Sequence, residues 1–316
     1  MGPPALFRIL VPSLAVGALL AFAGNARAAA CCGGTSATPS LITGDDAYQF
    51  GLAVSRSEII GDAPTSGKPV FRGDGTDEVT TTYRLDVAAI LSDRTQASVT
   101  VPFVSKSVAA GGTSNGASGV GDASLGFAYE AWPEWTYSEW KPHGFLFTQL
   151  NLPFAHSIYD TEAAGASDAF GTGFYRLSAG TLLRKAWRVL DAAVTPEVHY
   201  SLPRAFTDAG GSSLRVSPGF GASVEAGVGY NFVRLPFRVG LRIQPVWNEP
   251  RTIDADGART RSSAQWVWNT GLDVGYLATT EWSLSASYTD QTLLGPAVNT
   301  TLGRTFALSL QRRWPR

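Results

Sequence analysis

The segment from Val216 to Val246 constrains the fold of this chain more than any other stretch. Apolar side chains, with one proline, occupy every second position from Val216 to Phe232, and Gly, Ser, Glu and Asn fill the positions between them. After a turn at 233–236, the alternation resumes from Phe237. Successive side chains of a β-strand point to opposite faces, so this period of two predicts two antiparallel strands with one apolar and one polar face.

Composition indicates which of the two faces meets the surroundings. The polar face of these strands is rich in Gly, Ser and Asn, and charged residues make up only 16% of the chain, whereas ordinary domains contain about 25%. The apolar runs approach the roughly 9–11 residues of a tilted transmembrane strand. They also begin or end in aromatic residues, as the interfacial girdles of a membrane barrel require. We therefore expect the apolar face to contact lipid.

The same pattern predicts twelve strands after residue 46. They span 47–60, 79–92, 95–106, 121–132, 143–155, 172–186, 189–203, 215–232, 236–249, 264–278, 281–290 and 302–314. Long polar connections alternate with tight ones. The one long connection among the tight ones is Pro133–Pro142, which contains Trp135, Tyr137 and Trp140. An even strand number with long outer loops and short periplasmic turns is typical of outer-membrane barrels. The predicted fold is all-β: a transmembrane antiparallel up-and-down β-barrel of about twelve strands at 47–316.

The amino-terminal residues predict export to the outer membrane of a Gram-negative bacterium. Residues 1–30 resemble a signal peptide, with the basic Arg8, an apolar stretch and small residues before Cys31. Cleavage directly before Cys31 would permit its lipidation; a free thiol, an intermolecular disulfide or a bond to the adjacent Cys32 are alternatives. Residues 31–46 are expected to form a flexible segment that hangs in the periplasm or enters the lumen as a plug.

The alternation also predicts which side chains line the lumen. Charges facing lipid at the midplane would cost about 2–4 kcal/mol each, so charged strand residues are assigned to the interior. They are Arg56, Glu58, Arg84, Asp86, Asp122, Glu130, Arg176, Arg184, Asp191, Glu197, His199, Glu225, Arg238, Arg242 and Asp273. Two interpretations stay open, a closed ion-pair network and a water-filled permeation lining. Glycines of the eighth strand are expected to leave room for residues 33–46.

Prolines and aromatic residues give two further expectations. Prolines inside predicted strands lack a backbone donor, so they should lie at bulges or strand ends. These are Pro102, Pro153, Pro196, Pro218 and Pro245. Aromatic residues should form two girdles. The periplasmic girdle contains Tyr48, Tyr129, Phe145, Trp187, Tyr230, Phe237, Tyr276, Trp282 and Trp314.

The chain offers little catalytic or cofactor chemistry. His143, His156 and His199 have no metal-ligand spacing, so neither a metal nor another cofactor is predicted. A formal net charge of −1 does not indicate nucleic-acid binding. His199 and Ser201 have the spacing found in outer-membrane phospholipases, which are also twelve-stranded barrels. Here, however, the alternation places both residues in the lumen beside Glu197, so hydrolysis is a remote alternative and no enzyme is predicted.

Residues 119–190 resemble a known family. Gly119-Val120-Gly121-Asp122 opens a strand that ends at Tyr129, Leu150-Asn151-Leu152-Pro153 closes the next one, and Gly171-Thr172-Gly173 precedes a third. These motifs are similar to those of barrels grouped as transporters of the phenol meta-degradation pathway. The resemblance implies an outer-membrane barrel that passes small, often aromatic, hydrophobic compounds. The expected function is a passive channel in contact with outer-membrane lipid and small solutes. A closed barrel with a structural, anchoring or surface-recognition role is the alternative, and the oligomeric state stays open.

Overall fold

The computed structural model describes residues 38–73, 75–207, 210–255 and 258–316. Its strands are β1 (Asp46–Ala63), β2 (Val70–Phe71), β3 (Thr76–Ser92), β4 (Thr95–Ala110), β5 (Thr113–Val120), β6 (Ala123–Trp132), β7 (His143–Leu152), β8 (Arg176–Ala186), β9 (Leu190–Ser201), β10 (Arg204–Thr207), β11 (Ser213–Ser217), β12 (Gly219–Asn231), β13 (Phe237–Asn248), β14 (Thr252–Ala255), β15 (Ala258–Arg261), β16 (Gln265–Leu277), β17 (Trp282–Asp290) and β18 (Thr300–Pro315). One 3-10 turn spans Ala164–Ala166. None of the described residues forms a helix long and apolar enough to span a bilayer. The predicted signal peptide and Cys31 lie outside the described ranges.

The main sheet closes on itself. It contains 14 strands, of which β2 and β5 only extend loops, so 14 − 2 = 12 strands form the wall, in the order β18-β17-β16-β13-β12-β9-β8-β7-β6-β4-β3-β1. Every neighbouring pair in the wall is antiparallel, and β1 pairs with β18 from Asp46↔Pro315 to Ala63↔Thr300. Closure removes the free edges, so the backbone groups of the wall are satisfied inside a bilayer. The prediction of a twelve-stranded up-and-down barrel is confirmed.

The outer surface of the barrel is apolar and its interior is polar. Leu52 on β1 and Val228 on β12 are 47% and 56% exposed, although both are large aliphatic residues. In contrast, the alternate positions Gln49 and Ser223 on the same strands are only 8% and 5% exposed. This distribution is the reverse of that in a soluble barrel, and it is the one that a transmembrane barrel requires.

Phe145 is an exception to the predicted periplasmic girdle. Its side chain is buried on the lumen face of β7, and its ring centroid lies 4.6 Å from that of His143. The next inward side chain, Phe147, is buried as well, whereas Leu146 between them is exposed on the outer face. Both faces of β7 therefore carry large apolar residues. The assignment of Phe145 to the girdle is wrong because aromatic character alone does not indicate the face of such a strand.

Four of the five prolines are accommodated in two ways. Pro153 follows the end of β7 and Pro218 separates β11 from β12, as expected for strand ends. Pro196 and Pro245 instead lie within β9 and β13, where the ladders to β8 and β12 are interrupted beside them. The register is the same on both sides of each gap. Beside Pro196, Gly180 pairs with Glu197 and Leu183 with Val194. Beside Pro245, Ser223 pairs with Val246 and Ala226 with Ile243. A bulge is therefore not needed; the missing donor only leaves a local gap.

A second, four-stranded sheet forms above the extracellular end of the barrel. Its order is β10-β11-β14-β15, and it joins the loops on either side of β12 and β13. Its inner face contributes Phe206 and Val216 to a buried cluster with Phe174, against which Tyr159 packs. The predicted strand 215–232 is therefore divided. Its first residues belong to β11, and Gly219, with a φ of +80°, marks the break.

The long periplasmic connection between β6 and β7 is fixed to the barrel. Glu134 forms an ion pair with Lys185 of β8, and Trp187 Nε1 donates a hydrogen bond to the backbone oxygen of Glu139 (3.1 Å). Burial alone would raise the pKa of Glu134, but the hydrogen bond and charge of Lys185 outweigh it and hold that pKa below its ordinary value. Trp140, at 87% exposed, is left on the surface of this loop.

Candidate permeation path

Most of the predicted lumen residues face the interior of the barrel. Along each wall strand they alternate with the exposed apolar residues of the outer face, as Arg84 and Asp86 do with Tyr83, Leu85 and Val87. The inward set comprises Arg84, Asp86, Asp122, Glu130, Arg176, Arg184, Asp191, Glu197, His199, Glu225, Arg238, Arg242 and Asp273. Whether they line a permeation path or close it depends on how they are paired.

Arg56 and Glu58 do not belong to this set. They occupy the same face of β1 as Tyr48 and Leu52, and both side chains are exposed on the outside. The prediction that they line the lumen is wrong. β1 has 18 residues, more than the hydrocarbon layer requires. Its outer face therefore continues beyond the apolar band, where charged side chains meet headgroups and water.

Arg238 joins four wall strands. Asp191, Gly229, Gly240 and Asp273 are directly opposite one another on β9, β12, β13 and β16. The Arg238 guanidinium lies over this row, with Nε 2.9 Å from Asp191 Oδ2 and Nη2 2.7 Å from Asp191 Oδ1, and Nη1 pairs with Asp273. A Cβ atom at either glycine would collide with the guanidinium. The two glycines thus allow the arginine to lie flat against the wall.

The same arrangement occurs twice more. Arg242 of β13 crosses Gly271 of β16, and its Nη2 donates to Thr289 Oγ1 on β17 (2.8 Å). His199 of β9 crosses Gly221 of β12, and its Nε2 lies 3.0 Å from Asn248 Oδ1 on β13.

These contacts correct the expectation for the eighth strand. The space beside Gly221 and Gly229 is filled by side chains of neighbouring strands. It is not left for the amino-terminal segment.

Residues 39–42 nevertheless enter the lumen at another place. Ile42 is buried, and its backbone N–H donates to Gln96 Oε1 (2.6 Å), while Gln96 Nε2 donates to the Ile42 oxygen (3.1 Å). Gln49 Nε2 donates to Ser40 Oγ (3.0 Å). Pro39 lies so close to Gly126 of β6 that a Cβ there would be 2.5 Å from the proline Cβ. Residues 39–42 therefore occupy the periplasmic half of the barrel interior.

Asp122 ties the extracellular loop between β7 and β8 to the wall. Its carboxylate accepts hydrogen bonds from the backbone N–H groups of Ala155 (3.3 Å), Thr172 (2.7 Å) and Gly173 (3.4 Å). A side chain at Gly171 would collide with the carboxylate, and Gly173 has a φ of +76°. The two glycine-rich motifs that carry the family resemblance thus form one structural contact between the start of β6 and this loop.

The same loop is held by Asp168. Its carboxylate accepts hydrogen bonds from Thr161 and from the backbone N–H groups of Glu162 (3.0 Å) and Ala163 (3.3 Å). Burial alone would raise the pKa of Asp168, but these hydrogen bonds to the ionised form outweigh it and lower the pKa below its ordinary value.

His199 and Ser201 do not form a base and nucleophile pair. His199 Nδ1 lies 3.1 Å from Glu197 Oε1, and its other ring nitrogen is occupied by Asn248. Ser201 Oγ accepts a hydrogen bond from Arg176 Nε (3.2 Å). Among the described residues, no group of three or more His, Cys, Asp or Glu side chains is arranged to hold a metal ion.

Comparison with known proteins identifies the architecture. No protein-family model matches the chain, and no curated protein is similar to it in sequence. An outer membrane channel from Pseudomonas putida F1 superposes with a TM-score of 0.69, covering 86% of this chain and 97% of that chain at 13% identity.

Two further solved structures match less well. The transport unit of the autotransporter AIDA-I from Escherichia coli has a TM-score of 0.48 (8% identity; 84% of this chain, 90% of that chain). The NanC porin has a TM-score of 0.46 (11% identity; 83% and 98%). The first of the three matches supports the fold. The barrel that the family resemblance implied is confirmed.

Proposed function

We propose that this chain is an outer-membrane channel through which small solutes diffuse passively. The observation that carries the proposal is the polar interior of a closed barrel in which the largest charged side chains are held against the wall. Arg238 and Arg242 bind partners on neighbouring strands and lie over glycines, so they do not reach across the lumen. A polar wall with charges fixed in this way suits a path for water and solutes.

The fold of the Pseudomonas putida channel supports the same function by analogy, because its similarity extends over 86% of this chain. Fold alone does not determine function, so the proposal rests on the side chains inside this barrel. The outer apolar band fits contact with outer-membrane lipid. Hydrolysis is not part of the proposal, because the partners of His199 and Ser201 separate their roles.

Residues 39–42 are proposed to act as a plug at the periplasmic half of the path. Their hydrogen bonds to the wall join neutral groups only: the Ile42 backbone bonds to the Gln96 side chain, and Ser40 Oγ accepts from Gln49. Each such bond contributes about 0.5–1.5 kcal/mol. A segment held in this way can be displaced without unfolding the barrel. The buried Ile42 is also the observation that favours the second candidate, a permanently closed barrel with a structural or surface-recognition role.

Single-channel recording distinguishes the two candidates. The mature chain and a variant lacking residues 31–42 would be refolded into planar bilayers, and folding would be checked by heat-modifiable migration in gels. The proposed channel requires stable conductance steps, with larger steps in the truncated variant. Silence of both folded proteins would reject the channel and favour the closed barrel. Current that appears only after truncation would assign the plug a closing role.

A further inference from the structure

Arg176 stands at the extracellular end of β8 with most of its hydrogen-bonding capacity unused. Its side chain faces inward, and Nε donates to Ser201 Oγ (3.2 Å). No carboxylate of the described residues forms an ion pair with it within 4.0 Å, whereas Arg84, Arg238 and Arg304 all have such partners. A guanidinium offers five N–H donors, so the outer edge of this one is available to another acceptor.

Arg251, just after β13, is a second arginine of the same kind. Its Nη1 donates to the Tyr159 hydroxyl (3.2 Å) and its Nη2 to Gln265 Oε1 (3.1 Å). Both partners are neutral, and within the described ranges no acidic side chain pairs with this guanidinium. The side chain is partly buried. Two arginines without acidic partners therefore lie at the mouth of the lumen.

Arg251 lies in the same region as Arg176, because the ring of its partner Tyr159 packs against Phe174, two residues before Arg176 (ring centroids 5.9 Å apart). Two like charges placed together in this way repel each other. Two acids at this end of the lumen, Asp122 and Glu197, are already engaged. Asp122 is occupied by the backbone N–H groups of the loop between β7 and β8, and Glu197 by His199 and Ser223. Burial of like charges without a counter-ion is unfavourable. An anion placed between the guanidinium groups would relieve that repulsion.

We propose that Arg176 and Arg251 form a binding subsite for the carboxylate of a small organic acid. This inference rests on the proposed channel function and names a class of solute for it. The planar fork of a guanidinium matches the two oxygens of a carboxylate, and a charge-assisted pair of this kind is about twice as strong as a neutral hydrogen bond. Tyr159 and Gln265 hold Arg251 in place. Inorganic phosphate shares the oxyanion chemistry and is the competing source.

Binding is best measured without any requirement for conduction. The full mature chain, refolded in an uncharged detergent and phosphate-free buffer, would be titrated with 4-fluorobenzoate and followed by fluorine NMR. The variants are Arg176→Gln and Arg251→Gln, and the matched control is Arg84→Gln, which also removes one lumen charge but from an existing pair with Asp86. Arg176→Lys keeps the charge without the fork. Gel migration would confirm that each variant is folded.

We expect Arg176→Gln and Arg251→Gln each to weaken 4-fluorobenzoate binding by about tenfold or more, the loss expected for one charge-assisted hydrogen bond. Arg176→Lys should lose less, and Arg84→Gln should bind as the unmodified chain does. Equal binding of the neutral 4-fluorobenzamide, or an equal loss in Arg84→Gln, would overturn the proposal. Displacement by inorganic phosphate at a lower concentration than by benzoate would overturn the carboxylate assignment. Binding without conductance would contradict only the channel function.

Discussion

Removal of Arg238 tests whether the lumen wall is stabilised by its crossing arginines. The change Arg238→Met keeps an unbranched apolar stem of similar bulk and removes the guanidinium that lies over Gly229 and Gly240. Asp191 and Asp273 then lose their common partner. We expect a large loss of stability, because both carboxylates stay inward and one of them has little access to water.

The size of the loss follows from the burial of the partners. The Asp191 side chain is 8% exposed and that of Asp273 is 25% exposed. Removing one partner of a buried ion pair costs about 3–5 kcal/mol. Asn231 Nδ2 still donates to Asp191 Oδ2 (2.7 Å), and water can reach Asp273. The expected decrease in the free energy of unfolding is therefore about 3 kcal/mol, at the lower end of that range.

Equilibrium urea unfolding in lipid vesicles, followed by tryptophan fluorescence, measures this difference. The matched control is Arg84→Met, since Arg84 is 33% exposed and its partner Asp86 keeps a hydrogen bond from Thr100 Oγ1 (2.7 Å). That variant should lose less than about 1 kcal/mol. Adding Asp191→Asn and Asp273→Asn to Arg238→Met should restore most of the stability. If Arg238→Met and Arg84→Met lose equal amounts, the crossing arginine does not support the wall and the reasoning fails.

Three further predictions concern the plug and the extracellular loop. Gly126→Val should expel residues 39–42 and raise single-channel conductance, because a Cβ there collides with the short side chain of Ser98 and would lie 2.5 Å from Pro39 Cβ. Gly116→Val, where the nearest atom to a Cβ is 3.6 Å away, should not change the conductance. Asp122→Asn should weaken the hydrogen bonds to the loop by about 1–2 kcal/mol and speed exchange of the Thr172 amide. The pKa of Asp168 in the folded protein is lowered, so its hydrogen bonds should stabilise the loop at any pH above the ordinary value of 3.8 and be lost as the pH falls through the lower folded value. The NMR shifts of the Glu162 and Ala163 amides would report this loss. A change of those shifts at a pH above 3.8 would contradict the prediction.

The fold could be predicted from the sequence because the alternation of apolar and polar residues along a membrane strand indicates which side chains face lipid. A side-chain period of two, as in Val224 to Tyr230, reports both the strand and its lipid face when only one face is apolar. The prediction of the lipid face was wrong on a strand where both faces are apolar. On β7, Phe145 and Leu146 are both large and apolar, and only the three-dimensional structure shows which of them is inside.

The lumen could be predicted only in part, because residue type was given more weight than position. Arg56 and Glu58 are charged, yet they share the face of Leu52, so their positions along β1 already indicated the outside. Side-chain contacts between strands could not be predicted from the sequence. The contact of Arg238 with Asp191 joins residues separated by 47 positions, and its geometry depends on the register of three strands. Pro218 indicated a break after β11, but no local pattern shows that β11 joins the extracellular sheet.

The glycines of the wall connect the stability of this barrel with the width of its path. Neighbouring strands lie about 4.8 Å apart, so an arginine can reach the second strand along only if the side chain between is absent. Gly229, which has no side chain, lets Arg238 pass, and Gly271 does the same for Arg242. A side chain at Gly229 would break the contact with Asp191 and, by the same movement, lift the guanidinium towards the lumen axis. In this wall the glycine that allows the ion pair also keeps the guanidinium away from the lumen axis.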